Sequence, residues 1–520
     1  MRSILAACCF VLGASESGAA PYLGLVNGKP VLHVDGSPYL ILGAQTMNSS
    51  SLSLEIMEKN YPRLVDLNVN TLLLPIVWKQ VEPEEGEFDF SLVDALIGQA
   101  RRHDMKLVLL WFGSWKNYRS FCAPEWVLTD PGRFPRMRGK DGAPTSVLSN
   151  FSEAVLAADT RAFCRFISHL KAVDGDENTV IMVQVQNEIG LRGDSRDRSA
   201  EANRRFAGPV PGTLMNYLVE NREKLIPHLE ALWAARGYAS SGSWEEVFGD
   251  SPEGEEVFMA WHYARFINQM VEQAKSIYPI PMYVNAWTVD PADPKPGNHP
   301  SGGPVARVID IWKAGAPAID MMAVDNYRQD YKAKCREFMQ QGNPLFVPEA
   351  CAIWKNDSDS APAKAFYTIG ELHGVGFAPF GVDHDVYGPE HPLGVAYGAL
   401  EKMQPLLLRY YGTGELRAFF RQGEEKQAVL DFGDYGCRIS YKDQVAPNYG
   451  LIIRLSRNEF VIAGNGAQVR FFSQVEAEPL VEAVSVEEGD FVDGEWVRKR
   501  LLCGDEARGV GARLPPVPYW

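Results

Sequence analysis

Between about residue 38 and residue 410 the chain alternates apolar, β-rich runs with helix-period stretches, eight times over. The strand-like runs fall at 39–45, 71–78, 106–112, 180–188, 281–287, 319–327, 345–349 and 376–382. The run KLVLLWF at 106–112 is almost continuously apolar, so a strand there must be covered on both faces. Helical spacing fills the intervals. Leu92, Ala95, Leu96 and Ala100 share one face of a helix over 91–103, and longer helical patterns cover 153–172, 212–235 and 255–277. Strands alternating with helices imply parallel βαβ units. Eight of them imply an α/β fold closed as a (β/α)8 TIM barrel.

The texture changes beyond Gly412. Runs at 427–432, 449–455, 460–464 and 469–472 are short and β-rich, and Asp493-Gly494 between 490–492 and 495–500 signals a hairpin. An all-β, sandwich-like domain is expected over 412–520, either binding carbohydrate or bracing the barrel. Residues 21–37 suggest a short β-hairpin ahead of it, so the barrel unit is 21–411. Residues 1–20 read as an export leader: Arg2, an apolar stretch over 4–14, and small residues at Gly18-Ala19-Ala20. The expected destination is periplasmic or secreted, with a lipoprotein anchor at Cys8 as a variant. That apolar stretch is too short to span a bilayer, and no later segment resembles a membrane span.

Fifty-one basic residues against 66 acidic ones give a net charge of −15, which argues against a nucleic-acid partner. Cys8 and Cys9 lie in the leader, and the other six cysteines have long, irregular spacings that indicate neither a zinc site nor a dense disulfide framework. One or two disulfides and buried free thiols both remain open. The nine histidines form no metal-binding motif, and no phosphate-cradling loop is present. No cofactor is implied. Homo-oligomerisation is left open.

Two strand-like runs finish on a carboxylate: VIMVQVQNEIG at 180–190 ends around Glu188, and NPLFVPEAC at 343–351 around Glu349. A carboxylate is costly to bury without partners, but the open C-terminal end of barrel strands is where active sites sit. Two carboxyls roughly 5–5.5 Å apart are the machinery of retaining glycoside hydrolysis. Glu188 is assigned as acid/base, with a raised pKa, and Glu349 as nucleophile. Asn187 precedes Glu188 and is placed to donate its amide to a sugar hydroxyl.

The run VQVQNEIG at 183–190 resembles the acid/base signature of glycoside hydrolase family 35. WKQVEPEEGEFDF at 78–90 resembles the segment after that family's second strand, and PLFVPEACAIW at 344–354 is similar to its nucleophile region. The resemblance, to the bacterial branch, spans most of residues 22–520. It implies a retaining β-galactosidase acting on a carbohydrate substrate. Two departures stand out. Pro75 replaces a tyrosine common in the family, and Gly113-Ser114-Trp115-Lys116-Asn117 stands where many members carry a galactose-gripping Asn-Ala-Glu. Trp115, as a stacking platform, and Lys116, as a hydroxyl donor, are candidates to replace those contacts. Tyr327 resembles the clan tyrosine that hydrogen-bonds the nucleophile. Asn285 and Trp287 end strand five and Trp354 follows Glu349, which makes them candidate site-lining residues. Glu82, beside Pro83, reads as structural and paired to an arginine. Other readings are a same-clan exo-β-glycosidase for a different sugar and a non-catalytic glycan-binding protein.

Overall fold

The structure, a computed structural model, describes residues 19–351, 357–384, 391–477, 479–492, 494–504 and 514. The leader, save its last two residues, and Trp354 lie outside the described residues.

Eight strands form the barrel: β1 (Ile41–Gln45), β2 (Thr71–Val77), β3 (Lys106–Lys116), β4 (Val180–Asn187), β5 (Met282–Trp287), β6 (Met321–Asp325), β7 (Phe346–Val347) and β8 (Gly376–Phe377). They hydrogen-bond in the order β6-β5-β4-β3-β2-β1-β8-β7, every pair parallel. The two ends of that sheet meet where Asp325 and Glu349 form a parallel bridge, the Asn326 N–H donating to the Glu349 carbonyl at 2.9 Å. Each strand leads to a helix of the outer ring: α1 (Leu54–Asp66), α2 (Ser91–Arg102), α3 (Glu153–Asp174), α4 (Pro252–Ile277), α5 (Ile309–Gly315), α6 (Tyr331–Phe338), α7 (Ala361–Gly370) and α8 (Pro392–Tyr410). Their starts follow local chemistry. Ser152 accepts from the Val155 N–H ahead of α3, and Ser251 with Pro252 opens α4. Strands β2 and β4 are buried along their whole length, as continuous apolar runs between a helix ring and a packed interior require.

Several boundaries differ from the sequence reading. The N-terminal segment is a three-stranded antiparallel sheet (Tyr22–Val26, Lys29–Val34, Ser37–Tyr39) rather than one hairpin. Asn27-Gly28 and Asp35-Gly36 make its two turns, all four residues at positive φ, as tight hairpins of the right twist require. This third strand claims Tyr39, so β1 starts two residues later. The helix expected over 212–235 is split into Gly212–Glu220 and Pro227–Ala234, with Pro227 starting the second piece.

Strand β3 runs four residues past Phe112, and its register with β4 slips between Trp111 and Lys116. Asp159 of α3 holds this irregular end. Its buried carboxylate accepts from Trp111 Nε1 (2.9 Å), the Ser114 N–H (2.9 Å) and Gln186 Nε2 (2.7 Å). A side chain at Gly113 would place its Cβ 2.6 Å from Asp159 Oδ1, so glycine is needed for this close approach.

Beyond the barrel, two three-stranded antiparallel sheets face each other: Leu416–Phe420, Tyr449–Ser456 and Glu459–Asn465 in one, Gln427–Asp431, Tyr435–Tyr441 and Ala467–Ser473 in the other. Phe419 and Ile452 of the first sheet pack with Leu430, Ile439 and Val469 of the second. A separate hairpin, Glu487–Val492 with Glu495–Leu501, follows. The first sheet lies on α7: Phe366 meets Tyr449 at 4.7 Å and Tyr367 meets Phe420 at 5.2 Å between ring centroids. Cys122, Cys164, Cys335, Cys351, Cys437 and Cys503 are all free thiols. Among the described residues no helix is long and apolar enough to cross a membrane.

Glu82 is fully buried and accepts from Trp78 Nε1 (2.9 Å), the Gly86 N–H (2.9 Å) and Arg161 (2.7 Å), the arginine pairing anticipated from the sequence. Removing one partner of a buried, hydrogen-bonded pair leaves the others unsatisfied. Glu82→Ala is therefore expected to cost about 3 kcal/mol, read as a lower denaturation midpoint in urea.

Candidate active site

The site is built from strand C-termini. Gln186 and Glu188 both adopt left-handed backbone (φ 63° and 47°), a strained arrangement for residues with side chains. Tertiary contacts hold it. The Gln186 amide donates to Asp159, and the Glu188 N–H donates to Asn285 Oδ1 at 3.0 Å. Glu349 follows β7, and both its oxygens are held: Gln45 Nε2 donates to Oε1 at 3.0 Å and the Tyr327 hydroxyl to Oε2 at 2.9 Å. Oxygens of Glu188, Asp325 and Glu349 all lie within 4.8 Å of one another. The sequence separation of the two glutamates is thus bridged by barrel closure. All three carboxyls line a cavity of about 800 Å³, a volume within the range of small-molecule sites.

The electrostatics separate the two glutamates. The Glu188 carboxyl is pushed up to about 7, first by burial and then by the negative charge of Glu349, while the Lys116 ammonium and hydrogen bonds from Trp287 and Asp325 pull the other way. Burial, then the charges of Glu349 and Glu188, hold Asp325 well above the usual carboxylate range. Tyr327 is likewise raised by burial and by Glu349, which keeps its hydroxyl a donor. Among the described residues these three carboxyls are the set close enough to grip a cation. The arrangement suits protons better: N–H and O–H donors occupy both Glu349 oxygens, and the Lys116 side chain shares the cavity wall.

The sequence-derived candidates divide. Glu188, Glu349, Lys116, Trp287 and Tyr327 line the cavity. Lys116 is 4% exposed, and its Nζ makes no hydrogen bond among the described residues, lying 4.7 Å from the Phe112 ring centroid. Trp287 meets the edge of Tyr118 at 5.9 Å, and the Arg192 guanidinium sits 5.1 Å from both rings. Trp115 does not face the cavity. It is buried between Tyr263 (5.1 Å) and Phe266 (4.7 Å) of α4, its Nε1 donating to the Leu148 carbonyl, because β3 turns successive side chains to opposite faces. Asn187 is buried behind the wall, and its Nδ2 donates to Asn117 Oδ1 (3.0 Å) rather than standing free for a sugar. Asn285 also sits behind it, joining the Glu188 N–H, Asn187 Oδ1 and Asp325 Oδ2. Trp354 lies outside the described residues. Asp325 and Gln45 join the site from outside the sequence-derived candidates, although each ends an apolar strand on a polar side chain, the same signal that marks the glutamates.

A family model described as β-galactosidase, Glyco_hydro_42, matches residues 48–343. The chain belongs to glycoside hydrolase family 42. The resemblance to family 35 is therefore corrected to another family of the same clan. The family 42 match contains Glu188 and ends six residues before Glu349. A second model, described as a domain of unknown function (DUF5597), matches residues 393–513. No individual curated protein matches the chain. Solved structures with a similar fold include a β-galactosidase from Bacillus circulans sp. alkalophilus, at 13% identity and a TM-score of 0.48 over 71% of this chain and 57% of that one. The β-galactosidase from Rahnella sp. R3 gives 15% and 0.45 over 72% and 57%. The catalytic domain of a β-amylase from Paenibacillus polymyxa gives 12% and 0.45 over 69% and 97%. The chain thus spans little more than half the length of those β-galactosidases, and likeness at this level carries no weight for function.

Within this family 42 chain the raised Glu188 pKa has a stability consequence. The group binds its proton more tightly folded than unfolded, so its stabilising contribution is full below about pH 4.5 and is lost as pH rises through about 7. Glu188→Gln removes that dependence. Relative to the parent, the variant is expected to gain up to about 3 kcal/mol at pH 8 compared with pH 4, measured by denaturant unfolding at both values.

Proposed function

We propose that the protein is a retaining exo-β-galactosidase that removes terminal β-galactosyl residues from oligo- or polysaccharides by double displacement. The observation that carries this reading is the approach of the Glu188 and Glu349 oxygens to within 4.8 Å across one cavity. That separation suits direct attack by one carboxylate. An inverting pair stands roughly 6.5–9.5 Å apart to admit a water molecule. Glu349, fixed by Gln45 and Tyr327, attacks the anomeric carbon to form a glycosyl ester. Glu188, holding its proton to about pH 7, passes it to the departing glycosidic oxygen, so the aglycone leaves as an alcohol. In the second step Glu188 takes a proton from water, whose oxygen attacks the same carbon and releases β-galactose and free Glu349. Galactosylated plant-wall fragments are a source of such substrates.

A same-clan exo-β-glycosidase for another sugar is the second reading. It is favoured by Lys116, a buried ammonium in the cavity wall with no hydrogen-bond acceptor among the described residues, in the segment where many family 35 members carry an Asn-Ala-Glu grip. Lys116 is read as a donor to a sugar hydroxyl. Lys116→Met is expected to raise KM about tenfold on nitrophenyl β-galactoside with a smaller change in kcat. An unchanged KM there, or a larger rate on another β-glycoside in a parallel screen, would move the assignment to that other sugar.

The mechanism itself is tested with two variants. Glu349→Gln is expected to lower kcat at least about a thousandfold on every substrate. Glu188→Gln should retain glycosylation of nitrophenyl β-galactoside, whose leaving group needs no proton, and lose methyl β-galactoside. Added azide should restore turnover and yield the β-galactosyl azide, identified by NMR. An α-configured azide would reverse the two roles.

A further inference from the structure

Asp325 is a third buried carboxyl in the cavity, beside the two that the retaining reading uses, and its surroundings restrict its protonation. Its Oδ2 accepts from Asn285 Nδ2 at 2.8 Å. Its Oδ1 is buried and receives no hydrogen bond from any N–H or O–H among the described residues. No lysine, arginine or histidine forms an ion pair with it there. Instead, the carboxyls of Glu188 and Glu349 stand within 4.8 Å. A carboxylate with an orphaned oxygen, no ion-paired cation and two acidic neighbours is an arrangement that burial penalises severely, the charge of Lys116 in the cavity wall offsetting only part of it. A proton on Oδ1 resolves it. That O–H has the Glu188 and Glu349 carboxyls as acceptors beside it, and Glu188 is the less occupied, because both Glu349 oxygens already accept from Gln45 and Tyr327.

We propose that Asp325 works as a neutral carboxylic acid, a positioning residue whose O–H donates to the Glu188 carboxyl and stabilises it each time it gives up its proton. The proposal rests on Glu188 being the acid/base. When Glu188 protonates the leaving oxygen it becomes a carboxylate, and Asp325 keeps its own proton and hydrogen-bonds to the new charge. At the same moment Glu349 becomes a neutral ester, so the number of negative charges in the cavity is unchanged. When Glu188 recovers a proton from water, the resting arrangement returns. The other groups facing this pair are Lys116 from β3, Tyr283 beneath it on β5, Tyr327 after β6, Glu349 after β7, and, at the cavity rim, Asp293 and the Asp290–Arg328 ion pair with His299. The upward displacement of both Asp325 and Glu188 agrees with this arrangement.

The experiment compares the alkaline limb of kcat/KM for methyl β-galactoside, a substrate that needs the proton, in the parent, Asp325→Asn and Asp325→Leu. Folding is checked by circular dichroism, and Asp325→Ala replaces the leucine variant if that fails to fold. Asparagine supplies a neutral N–H donor of the same shape, so its limb is expected within about half a unit of the parent's. Leucine and alanine withdraw the donor from ionised Glu188, so the limb should move about one unit to higher pH. A limb displaced to lower pH in both Asp325→Asn and Asp325→Leu would mean that the native residue is charged and would overturn the proposal. A limb unmoved in Asp325→Leu, whatever the change in rate, would reduce Asp325 to a packing role and overturn it equally. Glu188→Gln separates the two levels. If that variant still turns over methyl β-galactoside with the parent's alkaline limb, the acid/base assignment itself fails, whereas loss of that activity leaves the Asp325 result to be judged alone.

Discussion

Three carboxyl groups lie buried together at the seam where the barrel closes, and much of the surrounding structure answers to that fact. Buried acids raise one another's proton affinity, and each oxygen needs a donor or a proton. Gln45 from β1 and Tyr327 after β6 serve Glu349, and Asn285 from β5 serves both Asp325 and the Glu188 backbone. These donors come from strands that are far apart in sequence but converge at one rim. The bridge between Asp325 and Glu349 that joins the two ends of the sheet also joins two of the three acids of the site.

The layers behind the rim convert packing into geometry. Asp159, on a helix of the outer ring, grips the irregular end of β3 and the side chain of Gln186, and so fixes both the route that brings Lys116 to the cavity and the strained turn that aims Glu188. Such a turn persists because its neighbours over-determine it. The first of the C-terminal sheets rests on α7, the helix that follows Glu349 in sequence. Two charged groups that a surface reading would leave to solvent, Lys116 and Glu82, are instead buried, one facing the cavity and the other locked to Arg161.

Much of this was legible in the chain. Apolar runs in alternation with helical spacing specify parallel strands, and a glutamate at the end of such a run stands out because burial without purpose is penalised. The same rule applied evenly would have found Gln45 and Asp325. The third N-terminal strand was also written in the chain, in Asp35-Gly36. Trp115 misled for a physical reason: an aromatic next to a polar residue near a strand end offers no sequence sign of which of the two faces inward when the strand slips register. Asn187 and Asn285 read as sugar contacts because their position in sequence is right, yet their amides are engaged behind the wall, by Asn117 in one case and by Asp325 and Asn187 in the other.

The sequence by itself determined the barrel, the β-rich C-terminal region and the two strand ends that carry Glu188 and Glu349, because periodicity and the cost of burying charge act locally along the chain. What only the tertiary structure decided is the state of those acids. Proton affinity depends on which groups from other strands stand a few ångströms away. The left-handed turn at Glu188, the two donors on Glu349 and the orphaned oxygen of Asp325 exist only once the eight strands have closed.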